Sequence, residues 1–130
     1  MIALDTNIVV RFLTRDEPRQ AARAKALIDA GPVFVPTTVM LETEWVLRSG
    51  YRFEPAAIVA SFRGLLGLAS VEVEDRWAIV RALAWYGQGL DFADALHLAC
   101  AQQADAFATF DRKLQRKGRL ATGAIPVFTP

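Results

Sequence analysis

Four carboxylates in this 130-residue chain are placed where they could share one reaction. Asp5 directly follows a short apolar run, Glu42 lies in a helix after a second such run, Asp94 opens a late helix, and Asp111 follows a fourth run. Apolar runs this short, bounded by helix-like sequence, read as buried strands of a parallel sheet. Ligands of such sheets bind beyond the carboxyl ends of the strands, so all four acids would gather at one edge. Two carboxylates about 4 Å apart repel by roughly 4 kcal/mol at an effective dielectric of 20, which makes such a cluster unfavourable without a cation in it. With one histidine and one cysteine available, a hard, oxygen-bound ion such as Mg²⁺ or Mn²⁺ suits the cluster better than zinc.

Each acid also has a plainer reading. Asp5 can cap the next helix, and Glu42 can be a solvated residue on the border of a buried face. In Asp91-Phe92-Ala93-Asp94 the first acid has the position of a cap and the second the third helical position of a capping box, which leaves Asp94 free to turn into a cleft as well. Asp111 before Arg112 and Lys113 can be a turn. Thr6, Asn7 and Thr109 are placed to orient these acids or to contact a phosphate, and turn roles suit them equally. His97 and Cys100 read as packing residues, and Trp45, Trp77 and Trp85 as packing or subunit contacts rather than stacking platforms. Basic residues are unevenly spread: Arg11 and Arg15 follow Asp5, and Arg112, Lys113, Arg116, Lys117 and Arg119 crowd into one segment after Asp111. Alone this segment is a solvated loop; beside an acidic metal site it suits a phosphate backbone.

The elements that must hold these residues alternate between strand and helix. After the first strand, Ile8 to Leu13 reads as a short helix, and Asp16-Glu17-Pro18 opens another over Arg19 to Ala30, stopped by Gly31-Pro32. Val33-Phe34-Val35 is the second strand. Thr37 or Thr38 caps a helix from Val39 to Ser49, whose expected inner face is Val39, Thr43, Val46 and Leu47, with Glu42 at its border. Glu44 and Arg48 have the spacing of a surface ion pair. Glu54-Pro55 opens a helix to about Gly67, Ser70 to Glu74 alternates like an edge strand, and Asp75 caps a helix through Tyr86. Leu90 to Ala101 is a mostly apolar helix, Ala104 to Phe110 a fourth strand, and Ile125 to Phe128 a last strand that its proline confines to an edge.

Length suits a single domain spanning residues 1–130 with one core. A net charge of +1 excludes strong steering by overall charge, so attraction for nucleic acid must be local. Cys100 is the only cysteine, so no intramolecular disulfide is possible, no signal-like start is present, and no apolar run approaches the length of a membrane span. A reducing, cytoplasmic setting with no membrane attachment is expected.

In order, Leu4-Asp5-Thr6-Asn7, Leu41-Glu42 with Trp45-Val46-Leu47-Arg48, Phe92-Ala93-Asp94-Ala95-Leu96-His97-Leu98-Ala99 and Thr109-Phe110-Asp111 resemble the PIN domains of VapC toxins from bacterial toxin–antitoxin pairs. The resemblance implies a three-layer α/β/α sandwich with a five-stranded parallel sheet and Mg²⁺-dependent endoribonuclease activity. It carries the acidic positions over to Asp5, Glu42, Asp94 and Asp111. It further implies a homodimer and a VapB-like antitoxin whose tail fills the cleft.

On that reading, hydrolysis of RNA leaves 5′-phosphate and 3′-hydroxyl ends. A haloacid-dehalogenase-like phosphatase is a rival, but it needs a second aspartate where Asn7 stands, and a phospho-receiver needs paired acids at the first strand's end. The other rival is a non-catalytic module that binds RNA or a partner protein.

Overall fold

Local sequence signals account for most of the helix boundaries. The computed structural model describes residues 1–130, which divide into two compact units, Met1–Arg76 and Trp77–Pro130.

The first unit runs β1 (Ile2–Ala3), α1 (Thr6–Thr14), α2 (Pro18–Ala30), β2 (Val33–Val35), α3 (Thr37–Ser49), α4 (Pro55–Leu66) and β3 (Val71–Val73). Asp5 is the N-cap of α1 and accepts from the backbone N–H of Thr6. Glu17 caps α2 through the amides of Arg19 and Gln20, with Pro18 in the first turn. The order β1-β2-β3 is parallel throughout, with Ile2 beside Val33 and Phe34 beside Glu72, and it leaves β3 at an edge as its alternation predicts. Helix α1 packs on α2 and α3, and α4 packs on α3 and β3. Val9, Ile28, Val35, Met40, Leu47, Ile58, Phe62 and Leu65 are buried. Gly31 is required where α2 meets the start of β2, because a Cβ there would come within 2.5 Å of the Ser70 Cβ.

Neither Thr37 nor Thr38 caps α3. The chain enters that helix through Pro36, which offers no side-chain bond, and the Thr37 amide instead donates to Glu74 Oε1 at 2.8 Å. The acid just past β3 thus satisfies one of the orphan donors at the head of α3. Glu74→Ala should therefore cost about 1 kcal/mol, read as a lower urea midpoint with unchanged slope.

The second unit contains α5 (Arg76–Gly87), α6 (Phe92–Cys100), β4 (Phe107–Ala108), α7 (Arg112–Lys117), a 3₁₀ turn at Gly118–Leu120 and β5 (Val127–Phe128). Tyr86 and Phe92 meet edge to face, 5.3 Å between centroids, and Ile79, Leu83, Ala95 and Leu98 are buried. The segment after Asp111 is helical rather than a loop. Gly118 ends α7 and passes so close to Val127 that a Cβ would lie 2.9 Å from its Cγ2.

The expected five-stranded sheet is not formed: β1-β2-β3 make one sheet, and β4 and β5 pair in parallel as a separate ribbon. The fourth strand, expected over Ala104 to Phe110, contracts to two residues. Ala104, Asp105 and Ala106 are weak strand formers, and the Ala104 amide is taken up by a turn to the Ala101 carbonyl at 2.9 Å. With only two paired positions each in β1, β4 and β5, the ladders are short.

Candidate active site

Asp5 and Glu42 line the same groove, of about 380 Å³, with Thr6, Asn7, Arg11 and Tyr51. Asp5 is held there by its capping role: Oδ1 accepts from the Thr6 amide at 2.8 Å, while Oδ2 has only a long 3.5 Å contact with Asn7 Nδ2. The Thr6 hydroxyl, expected to orient Asp5 or meet a phosphate, donates to Glu42 Oε1 instead and so links the two acids. Asn7 lines the same groove.

The buried face of α3 is turned from the predicted one. Met40, Thr43, Glu44 and Leu47 are inside, Val39 and Val46 are half-buried, and Glu42 is exposed to the groove rather than on a border. Glu44 is 2% exposed, so its bond from Arg48 Nε at 2.7 Å is no surface pair. The Arg48 side chain stays partly exposed while its guanidinium satisfies the buried carboxylate.

Arg11, a candidate from its place after Asp5, is fixed by residues distant in the chain. Its Nη1 donates to both oxygens of Asp16 at 3.1 Å and to the Tyr51 hydroxyl at 2.9 Å, and its Nε donates to Gln20 Oε1 at 2.8 Å. Tyr51 in turn donates to Asp16 Oδ2 at 2.6 Å, and Thr14 to Oδ1 at 2.9 Å. Arg15 and Arg52, beside Asp16 and Tyr51, both adopt left-handed backbone, φ 55° and 57°. Separations of 35 to 40 residues between Tyr51 and its partners left no local signal of this clasp. Arg15 does not join Arg11; it lines a different depression with Phe12, Pro18 and Lys25.

In the second unit Asp91 caps α6 through the Asp94 amide at 3.2 Å, as the capping-box pattern predicts. The Asp94 carboxylate has no hydrogen-bond donor, and its pKa is raised above the ordinary aspartate value, first by burial and then by the charges of Asp91 and Asp111. His97 and Lys113 oppose that shift. Asp111 Oδ1 accepts from the amides of Lys113 and Leu114 at the head of α7, and its own amide donates to Thr109 Oγ1 at 3.0 Å. Asp111 is thus the cap of α7 rather than part of a plain turn, Thr109 holds its amide, and Oδ2 of Asp111 is left over.

Of the remaining basic residues Arg112, Arg116 and Arg119 are exposed, and Lys117 donates to the Gly89 carbonyl at 3.0 Å. Trp85 packs inside, its indole N–H on the Thr122 carbonyl, whereas Trp45 and Trp77 are exposed, the latter beneath the Arg81 guanidinium. His97 and Cys100 are exposed rather than packed.

Neither unit by itself brings three carboxylate, imidazole or thiol groups into a metal cage. Each does offer a pair of acids with uncommitted oxygens: Asp5 Oδ2 with Glu42 Oε2, and Asp94 with Asp111 Oδ2. An all-oxygen, anionic donor set fits a hard divalent cation. No helix is long and apolar enough to cross a membrane.

No curated protein matches the chain significantly. The family model for the PIN domain matches residues 2–120, a span that includes all four acids and most of both units. The chain therefore belongs to the PIN domain family, whose nuclease-type fold generally serves metal-dependent cleavage of phosphodiester bonds.

Proposed function

We propose that this chain is a Mg²⁺-dependent endoribonuclease acting as the toxin of a VapBC-type toxin–antitoxin pair, with Mn²⁺ able to replace Mg²⁺. Its catalytic and metal-binding acids are Asp5, Glu42, Asp94 and Asp111. The observation that carries this reading is the PIN match across 2–120, within which each of these acids keeps at least one carboxylate oxygen unbonded by a close donor.

Unpaired carboxylates are costly to hold together, and Asp94 already feels two neighbouring negative charges. A divalent cation supplies the missing positive charge, acidifies water and offsets charge on the phosphoryl oxygens. The protein's own residues do the positioning. Thr6 fixes one oxygen of Glu42, the α1 cap fixes Asp5, and the Asp91 and Asp111 caps set the α6 and α7 ends that carry Asp94 and Lys113. Arg112, Lys113 and Arg116 bind the substrate's phosphates by charge, without regard to sequence. The active form is a cytoplasmic homodimer of single PIN domains, silenced by a VapB-like antitoxin.

Purified protein incubated with a mixed RNA pool should destroy intact RNA with Mg²⁺ and not with EDTA, and end-sequencing should find 5′-phosphates. Metal-independent cleavage to 2′,3′-cyclic phosphates, or RNA binding without cleavage at any metal concentration, would defeat the proposal.

A further inference from the structure

A second groove, of about 550 Å³, lies between α1 and α2 within the first unit. It shares Asn7 and Arg11 with the acid-lined groove, so the two are continuous along α1. Their linings differ in sign. The first carries Asp5 and Glu42; the second has no acid and is lined by Arg11, Arg23, Gln20 and Asn7 over an apolar floor that includes Ile8 and Leu27.

Arg11 is prepared for a ligand on one side only. Asp16 and Tyr51 occupy Nη1 and Gln20 occupies Nε, which leaves both N–H bonds of Nη2 without a protein acceptor. A guanidinium so fixed loses little side-chain freedom when it binds an anion, and its planar fork matches phosphate oxygens. Arg23, one turn before Leu27 on α2, has no ion pair, in contrast to Lys25, which is paired with Asp29. The volume is that of ordinary small-ligand pockets, about 300–1,000 Å³.

We propose that this α1–α2 groove is a backbone subsite for single-stranded RNA, holding a non-scissile phosphate on Arg11 Nη2 and Arg23 and seating the attached ribose or base on Ile8 and Leu27. The proposal rests on the nuclease reading above and extends it to how the strand continues beyond the acids. An extended single strand fits better than a duplex because the apolar floor requires an exposed sugar or base face. Arg15 has no part in this subsite, since it lines a separate depression.

The test is fluorescence anisotropy of a labelled single-stranded RNA 12-mer titrated with the full-length Asp94→Asn protein in EDTA, so that binding is read without cleavage. Arg23→Gln should weaken binding about tenfold, the scale of one charge-assisted hydrogen bond. It should also reduce the slope of log affinity against log salt by about 0.7, the value for one phosphate contact on a single strand. Arg11→Gln should do at least as much. Lys25→Gln, which removes the same charge from the other side of α2, should change affinity less than about twofold.

If Arg23→Gln and Lys25→Gln behave alike, or if Arg23→Gln leaves affinity and slope untouched while the wild-type protein still cleaves RNA, the subsite is wrong and the nuclease stands. If wild-type protein neither binds nor cleaves RNA, both fall. If polyglutamate binds in place of RNA and Arg23→Gln abolishes that binding, the groove takes an acidic protein segment and the proposal is overturned.

Discussion

Asp94→Asn should lower RNA cleavage by about 10²-fold or more, the scale of removing one preorganised charge partner, without lowering the melting temperature. The reason lies in the sign of its pKa shift. Burial and then the charges of Asp91 and Asp111 raise the folded-state pKa of Asp94. A group shifted upward adds stability that is complete below its unfolded pKa and is lost as pH rises through the folded value. The direction of the shift means that ionising Asp94 costs more in the folded chain than in the unfolded one, and a neutral isostere removes that cost. Asparagine at the third helical position also leaves the Asp91 cap in place, because the bond uses the backbone amide of residue 94. Mg²⁺ should raise the melting temperature of the wild type more than that of the variant, a reading independent of turnover. A clear loss of stability in Asp94→Asn, with no change in response to Mg²⁺, would make Asp94 a structural acid.

Asp5→Asn and Glu42→Gln should each reduce cleavage about 10²-fold or more with melting temperatures within about 4 °C of wild type. Both substitutions remove charge and keep shape. Asparagine caps helices as well as aspartate does, so the bond from the Thr6 amide and the start of α1 survive. Glutamine retains the acceptor oxygen that Thr6 holds. What disappears is the negative charge on the oxygens facing the groove. The double variant should be little worse than either single one, since groups that act on one ion do not contribute independently. Full activity in both single variants, assayed with saturating Mg²⁺, would remove the groove of the first unit from the chemistry.

Short-range signals were legible in the chain. Glu17-Pro18 starts α2, Asp91 caps α6, and the alternation around Val71 marks an edge strand, because capping and period-two patterns depend on residues within a turn of one another. Asp5 and Glu42, two of the four acids expected at one sheet edge, line one groove. What depends on distant partners was not. The α3 face is turned because Arg48 stabilises Glu44 inside, which the hydropathy of an acid does not reveal. The Glu74 cap joins residues 37 apart. The fourth strand contracted for a different reason: Ala104, Asp105 and Ala106 lack the β-branched or aromatic side chains that favour a strand.

The clasp around Arg11 has a bearing on acid titrations. Asp16 has its pKa lowered, first by the hydrogen bond from Tyr51, with Thr14 and Arg11 assisting. A carboxylate shifted downward adds stability above its unfolded pKa and gives it up only as pH falls through the lower folded value. From mildly acidic to neutral solution the guanidinium of Arg11 therefore keeps one orientation. A bend in a rate-versus-pH curve over that interval reports proton uptake by groups other than Asp16.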